Sequence, residues 1–329
     1  MDSYINPRLR RKSRRRRIVF LFTLLAAAIV GTFFYHEYNK NFGETRETST
    51  IITPVEIVSK MIAPVSIIDA SEKSSSMSAV VRSAMEGTHG TYGIVIKNLK
   101  TGELYYNNQH KSFDTGSLYK LWVMATVYKQ IEAGVLTKDQ VLSQSIPNLN
   151  HEFGISDDVA EQTEGTITSS IGDALTKMIT VSDNYSALLL TEKVRLSNVA
   201  SFLQTNGFAE SAVGTGGIAP TTTASDIELF LEKLYKGELG NAQSTAEMID
   251  LLKNQRLNGK LPKYLPDDVV MAHKTGELDD FTHDAGIVYM QNGDYIIVVL
   301  SRSDDPDLAA ERIADVSKNV YDYFTGVPQ

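Results

Sequence analysis

The sequence predicts an α/β fold of the α+β type, in which a mainly antiparallel five-stranded sheet is flanked by helices and carries an inserted all-helical lobe at about residues 118–224. Two strand patterns lie before residue 107 and three lie after residue 268, while the chain between them has mainly helical periodicity. Strands at both ends of a domain with helices between them are typical of an α+β arrangement. An uncharged apolar run near the N terminus adds one transmembrane helix to this prediction.

The five strands are predicted where β-branched and aromatic residues dominate, at residues 92–98, 103–106, 269–275, 284–291 and 295–301. Asn292 and Gly293 predict a hairpin turn between the last two strands. Helices are predicted where apolar residues recur every three or four positions, and several of them stop at a glycine. The predicted helices cover residues 78–86, 117–134, 168–180, 185–194, 197–206, 224–235, 242–253 and 308–324.

Composition and charge narrow the functional classes. The 329 residues, 42% hydrophobic and 22% charged, suffice for one large domain with a substantial core. None of them is cysteine, which excludes disulfides, thiolate metal sites and cysteine nucleophiles. Residues 1–40 contain nine of the 32 basic residues but only two of the 40 acidic ones, so the rest has a net charge of −15. An anionic body with one basic tip argues against nucleic-acid binding.

The basic tip leads into residues 18–35, which carry no charge. As a helix this run spans about 27 Å, enough for one membrane crossing. The positive charge before it predicts a cytoplasmic tail at residues 1–17, a transmembrane anchor at 18–35, a stalk or linker at 36–76 and an extracytoplasmic domain at 77–329. A cleaved signal peptide is the alternative, but the apolar residues that follow the alanines at 26–28 are a poor cleavage setting.

The first candidate for chemistry is Ser117-Leu118-Tyr119-Lys120, at the start of a predicted helix. Residues three apart share a helix face, so Lys120 can reach Ser117. Free backbone N–H groups and the helix dipole favour negative charge at this end. A lysine whose pKa is lowered by burial or by nearby positive charge can accept a serine proton, which would make Ser117 a nucleophile. Taken alone, the pattern is also that of a capping serine with an exposed lysine.

Two further short motifs lie at predicted element ends. Ser182-Asp183-Asn184 separates two helices, where Ser182 can relay a proton and Asn184 can hold an amide. Lys274-Thr275-Gly276 ends an apolar strand and offers a cation, a hydroxyl and a glycine that permits close backbone approach. Each alone is equally typical of a helix cap or a strand end. Their order is informative, with 65 residues from the first serine to the second and 92 from there to the second lysine.

The set S-x-x-K, S-D-N and K-T-G is that of class A β-lactamases and penicillin-binding proteins. Over residues 77–329 the sequence resembles the class A β-lactamase-related serine hydrolases, which belong to the penicillin-recognising serine enzymes. The stretches 165–184, 221–223 and 272–289 are similar to this family's segments before the second motif, after the omega loop and around the third motif.

The resemblance implies a catalytic role for four residues. Ser117 would attack the carbonyl of a β-lactam or of an acyl-D-Ala-D-Ala peptide. Lys120 would take or relay its proton. Ser182, with Lys274 nearby, would pass a proton to the leaving nitrogen.

The resemblance also implies the groups that bind substrate. Asn184 would bind an amide, Thr275 a carboxylate, and Gly276 would let the substrate lie close to the strand. The backbone N–H groups of Ser117 and Glu277 would form an oxyanion hole. No metal or cofactor is implied. The expected partners are a small-molecule β-lactam or a peptidoglycan stem peptide, bound by a monomer in a bacterial cell membrane.

The sequence departs from the family in the omega loop. Class A β-lactamases carry a glutamate there that holds the water for deacylation, but the run between Gly207 and Thr221 is short and lacks the E-x-x-L-N pattern. Its one acid, Glu210, is not placed like the family's glutamate. No obvious arginine follows the third motif to bind a carboxylate, and His283 and Arg256 are weak candidates for that role.

The departure affects the second half of the reaction. Loss of a general base typically slows a reaction by about 10²–10⁴-fold, so we expect acylation followed by slow hydrolysis. This leaves open a weak β-lactamase, a D,D-peptidase or other penicillin-binding enzyme of peptidoglycan metabolism, and a related amidase or esterase. A non-catalytic β-lactam sensor in an antibiotic response is a further alternative.

Two other kinds of site are alternatives. Asp114-Thr115-Gly116-Ser117 matches the D-T-G-[SA] motif of aspartic proteases, but a second copy is missing and a helix follows. His273, His283 and the aspartates at 279, 280 and 284 could ligate a metal ion. However, residues 279 and 280 look like a turn, and neighbours on a strand point to opposite faces. We expect neither site and expect both histidines to be structural.

Overall fold

The structure confirms an α+β architecture. The computed structural model describes residues 77–216 and 218–326, which form nine helices and a five-stranded antiparallel sheet. The predicted tail, anchor and stalk at residues 1–76 lie outside the described residues. Across the described part of the chain, no helix is both long and apolar enough to cross a membrane.

The bounds of the elements are as follows. The strands are β1 (Thr91–Asn98), β2 (Leu104–Asn107), β3 (Phe113–Asp114), β4 (Val141–Ser145), β5 (Thr166–Ser170), β6 (Thr221–Thr222), β7 (Val270–Leu278), β8 (Phe281–Tyr289) and β9 (Tyr295–Arg302). The helices are α1 (77–84), α2 (Lys120–Glu132), α3 (Ile146–Glu152), α4 (Ile171–Thr180), α5 (Asn184–Val194), α6 (Leu196–Thr205), α7 (Ala224–Tyr235), α8 (Ala242–Lys253) and α9 (Pro306–Thr325). A 3-10 turn, Gly116–Tyr119, precedes α2.

The large sheet has the strand order β2-β1-β9-β8-β7, and all neighbours are antiparallel. Its central strand β9 is buried on both faces. Ile296 and Val298 belong to the apolar core shared with the lobe, whereas Ile297 and Val299 belong to the core beneath α1 and α9. Helices therefore cover both faces of the sheet, and β7 forms the edge against which the 3-10 turn and α8 pack.

The lobe is built around α2, whose first nine residues are all buried. Helices α4, α5, α6 and α8 pack around it. The prediction of an all-helical lobe is wrong in detail, because the two-stranded sheet β4–β5 lies within it, and so does β6, which pairs with β3 just before the lobe. The predicted helix 168–180 begins only at Ile171. Residues 166–170 consist of Thr, Ile and Ser and pair with β4, and Ser170 caps α4 by accepting the Asp173 N–H.

Strands β7 and β8 are longer than predicted. Strand β7 continues to Leu278, and β8 begins at Phe281. Asp279, at a φ of +49°, and Asp280 form the turn between them. The sequence pattern missed the start of β8 because residues 282–284 are polar although fully enclosed. Polar side chains in a buried strand interrupt the apolar pattern on which strand prediction depends.

Candidate active site

The three motifs meet at the edge of the sheet, where the 3-10 turn packs against β7. Gly116 has a φ of +47°, and a Cβ there would lie 2.6 Å from Glu277 N. A Cβ on Gly276 would lie 2.7 Å from the Thr115 carbonyl oxygen. Glycine at both positions therefore lets the turn and the strand touch. This contact brings the backbone of Ser117 next to that of Glu277.

The register of β7 directs the Glu277 N–H toward the free edge of the strand. Leu278 and Phe281 close the two-residue turn, so this pair exchanges backbone hydrogen bonds and the next pair, Glu277 with Thr282, does not. The N–H of Ser117 lies beside it at the N-terminal end of the 3-10 turn. The predicted oxyanion hole requires two backbone N–H donors, here those of Ser117 and Glu277, on the same side of the strand. Ser117 is half-buried, and its hydroxyl has no hydrogen-bond partner among the described residues.

Lys120 is fully buried at the start of α2, and polar groups surround its amine. Its Nζ donates to the Ser182 carbonyl oxygen at 2.6 Å, to Ser182 Oγ at 3.2 Å and to Asn184 Oδ1 at 2.7 Å. Burial lowers the pKa of Lys120 to about 8, although the Asp183 and Glu161 carboxylates act in the opposite direction. The amine can therefore lose its proton near neutral pH, as a general base must.

Ser182 links two lysines. It adopts a φ of +59° in the loop between α4 and α5, a conformation that is unusual for serine and recurs at functional sites. Its Oγ accepts from Lys274 Nζ at 2.9 Å, and the same Nζ donates to the Thr275 carbonyl oxygen at 2.9 Å. Burial, followed by the charge of Lys120, lowers the pKa of Lys274 to about 7. A hydroxyl held between two such lysines can receive a proton from one side and deliver it to the other.

Asn184 is held at both ends of its side-chain amide. Its Oδ1 accepts from Lys120, and its Nδ2 donates to Oε1 of Glu161, in the loop between α3 and β5. Thr275 is buried on β7, and its hydroxyl has no partner among the described residues.

A buried cation adjoins the third motif. Lys260, in the segment between α8 and β7, is 4% exposed, and its Nζ donates to the carboxylate of Glu277, which is largely exposed. Besides burial and Lys120, the charge of Lys260 contributes to the lowered pKa of Lys274. The Arg256 side chain, in contrast, forms no hydrogen bond or ion pair within the described residues.

Comparison with known proteins gives the family. The family model described as "Beta-lactamase enzyme family" matches residues 75–324. The chain belongs to the β-lactamase enzyme family. No curated protein matches the chain.

Solved structures with the same fold include a β-lactamase and PBP-A. A β-lactamase from Sphaerobacter thermophilus is 21% identical, with a TM-score of 0.68, over 78% of this chain and 99% of that one. The structure of PBP-A is 21% identical, with a TM-score of 0.68, over 79% of this chain and 97% of that one. A mutant of PBP-A, solved as an acyl-enzyme complex with penicillin G, is 20% identical, with a TM-score of 0.65, over 76% of this chain and 96% of that one. At these identities the likeness shows the fold.

The described residues of the short loop that departs from the β-lactamase pattern form no hydrogen bond with the lysine of the first motif. Glu210 Oε2 lies 3.0 Å from His110 Nδ1 and accepts from Thr223 Oγ1 at 2.9 Å. None of the hydrogen bonds of Lys120 involves a described residue of the segment 207–220. Glu210 is thus tied to side chains outside the three motifs.

The two buried histidines have structural partners. His273 Nδ1 lies 2.9 Å from Asp284 Oδ1. His283 Nε2 donates to the Asp114 carbonyl oxygen at 2.8 Å and its Nδ1 accepts from the Ser301 N–H at 3.0 Å, so it ties β8 to β3 and β9. Burial lowers the pKa of His283 to about 4. Within residues 77–216 and 218–326, no group of three or more His, Asp or Glu side chains could hold a metal ion.

Sequence reasoning missed Glu161 and Lys260. Both lie in irregular segments, where neither periodicity nor a fixed distance from a motif marks a residue. Their contacts with Asn184 and Glu277 depend on how loops from distant parts of the chain fold back on the motifs.

Proposed function

We propose that this protein is a serine hydrolase that forms an acyl-enzyme at Ser117 with β-lactams or with acyl-D-Ala-D-Ala-like amides. The observation that carries the proposal is the hydrogen-bonded series Lys120–Ser182–Lys274 beside Ser117, in which burial lowers the pKa of both lysines toward neutrality. Membership of the β-lactamase enzyme family supports hydrolysis of an amide bond by the same chemistry.

In the proposed acylation, neutral Lys120 accepts the proton of the Ser117 hydroxyl as Oγ attacks the substrate carbonyl carbon. The N–H groups of Ser117 and Glu277 would stabilise the resulting oxyanion, and one such donor is typically worth about 3 kcal/mol. As the C–N bond breaks, Ser182 gives its proton to the leaving nitrogen and is reprotonated by Lys274 or Lys120. The product of this half-reaction is an ester between Ser117 and the acyl group.

In this proposal the substrate is bound by groups that surround the series Lys120–Ser182–Lys274. Asn184 would bind the amide on the acyl side. Thr275, with the charges of Lys274 and Lys260, would bind a carboxylate on the amine side. Gly276 would allow the substrate to lie against β7. With residues 18–35 as an anchor, we propose that the site works outside the cytoplasm, at a bacterial membrane.

Hydrolysis of the ester is the slow step of the proposal. The only acid of the short loop is tied to His110 and Thr223, and loss of a general base typically costs about 10²–10⁴-fold. This favours, as a second candidate, a D,D-peptidase or penicillin-binding enzyme of peptidoglycan metabolism, which β-lactams would acylate without being destroyed efficiently.

Incubation of the purified full chain with a chromogenic cephalosporin tests the proposal. A burst of one equivalent followed by slow turnover is expected, with the adduct found on Ser117 by mass spectrometry. Sustained rapid turnover would instead favour an efficient β-lactamase. A Ser117→Ala variant is the control and should give neither burst nor adduct. If the wild-type chain gives no Ser117 adduct with any β-lactam and releases no D-Ala from a D-Ala-D-Ala peptide, the proposal is wrong.

A further inference from the structure

An acid with no assigned role lies next to Asn184. Glu161 Oε1 accepts from Asn184 Nδ2, and the negative charge of Glu161 acts on both Lys120 and Tyr119. The Glu161 side chain is exposed. Among the residues that the structure describes, no lysine or arginine forms a salt bridge with it. It is therefore an exposed negative charge beside Asn184 that has no salt-bridge partner among the described residues.

Two buried side chains fix the position of this acid. The N–H of the next residue, Gln162, donates to Tyr185 Oη at 3.0 Å, and the Gln162 carbonyl oxygen accepts from Asn150 Nδ2 at 2.7 Å. Tyr185 and Asn150 are more than nine-tenths buried, and their side chains also bond to each other at 3.1 Å. Tyr185 directly follows Asn184 on α5. Two adjacent residues of one helix therefore contact the Glu161 segment, Asn184 at the Glu161 carboxylate and Tyr185 at the backbone of Gln162.

The two neighbours of Asn184 also fix the direction of its amide. A protonated Lys120 can only donate and an ionised Glu161 can only accept, so Oδ1 faces the lysine and Nδ2 faces the carboxylate. The second carboxylate oxygen of Glu161 has no hydrogen-bond partner among the described residues. Lys120 is fully buried behind the amide, so an incoming group meets the charge of Glu161 first.

We propose that Glu161 makes the site prefer substrates that carry a cationic group, such as an ammonium, beside the amide on their acyl side. This inference rests on the proposed function, because it requires acylation at Ser117 with the acyl-side amide at Asn184. An ammonium there would form a charge-assisted hydrogen bond with the free carboxylate oxygen, and a substrate carboxylate would be repelled. The ammonium can belong to an aminobenzyl β-lactam or to a diamino acid of a peptide, and both present the same chemistry.

Three penicillins provide a matched test, because they share one ring system and a phenylacetyl-type side chain. Benzylpenicillin has hydrogen on the side-chain α-carbon, ampicillin an amine and carbenicillin a carboxylate. The second-order rate of Ser117 acylation is measured for the full chain by mass spectrometry, at a pH at which the ampicillin amine is protonated. Because exposed ion pairs contribute little, we expect each step of the order ampicillin, benzylpenicillin, carbenicillin to lower the rate by roughly fivefold, and less at high salt.

Glu161→Gln separates charge from structure. Glutamine keeps an oxygen that can accept from Asn184, so we expect all three penicillins to acylate this variant at similar rates. Glu164→Gln, which removes an exposed acid of the same loop, should keep the wild-type order. A wild-type order that does not follow charge, or one that persists in Glu161→Gln, would overturn the inference while acylation itself remains intact. Absence of any Ser117 adduct would overturn the proposed function, and this inference with it.

Discussion

At the residue scale, two opposing effects act on the proton of Lys120. Burial favours the neutral amine, and the carboxylates of Asp183 and Glu161 favour the charged one. Burial dominates, and a pKa of about 8 results, so the change of protonation falls where activity can be measured. The pH at which Lys120 loses its proton therefore depends on the charges of Asp183 and Glu161, which can be removed by mutation.

We expect the rate of Ser117 acylation by benzylpenicillin to rise with pH through a midpoint near 8, because the neutral amine is the base. Glu161→Gln removes a charge that raises the pKa of Lys120, so the midpoint should move to lower pH. Quenched acylation reactions across a pH series give both midpoints, which belong to the coupled pair Lys120 and Lys274. A midpoint that stays in place or moves upward in Glu161→Gln would contradict this account, and Glu164→Gln is the control.

At the element scale, the contact between the 3-10 turn and β7 controls the geometry of the site. Gly276→Ala would place a Cβ 2.7 Å from the Thr115 carbonyl oxygen, so turn and strand must separate. We expect stability to fall by about 1–3 kcal/mol and acylation to fall at least tenfold, since a displacement of about 1 Å can cost 10²-fold. Denaturant unfolding and acylation rates measure the two effects.

Gly172→Ala is the matched control for that prediction, because a Cβ on Gly172 would lie at an ordinary 3.5 Å from Lys138 Cβ. This variant should acylate at the wild-type rate. Unchanged acylation in Gly276→Ala would show that the close approach of the two backbones is not needed for the reaction.

The elements also show what the sequence could predict. Helices α7 and α8 agree with the predicted bounds at both ends, because their apolar periodicity is regular and a capping side chain precedes each. The sequence pattern missed strand β5 because its five residues, all Thr, Ile or Ser, directly precede α4 and look like the first turn of that helix. The start of β8 was missed because buried His283 and Asp284 find partners on neighbouring elements, which a local pattern does not show.

At the scale of the whole molecule, the site forms where the lobe meets the edge of the sheet. The motif residues Lys120, Ser182 and Lys274 could be predicted as a set, because their types and order are distinctive although Ser182 and Lys274 stand 92 residues apart. Glu161 and Lys260 could not, since they approach the motifs only through the folding of irregular loops. Sequence therefore predicts the shared chemistry better than the charges that would select a substrate.

Deacylation likewise depends on residues outside the three motifs, in this case on the short loop that contains Glu210. Glu210 is bound to His110 and Thr223, so we expect Glu210→Gln to leave the deacylation rate within about threefold of wild type, whereas loss of a general base would cost about 10²–10⁴-fold. The full chain is acylated with benzylpenicillin, freed of excess, and followed by mass spectrometry as the adduct disappears. Glu238→Gln, an exposed acid paired with Lys233, is the control. If Glu210→Gln prolonged the acyl-enzyme a hundredfold, Glu210 would be the deacylating base despite its contacts, and the short loop would have to rearrange around the acyl group to bring it there.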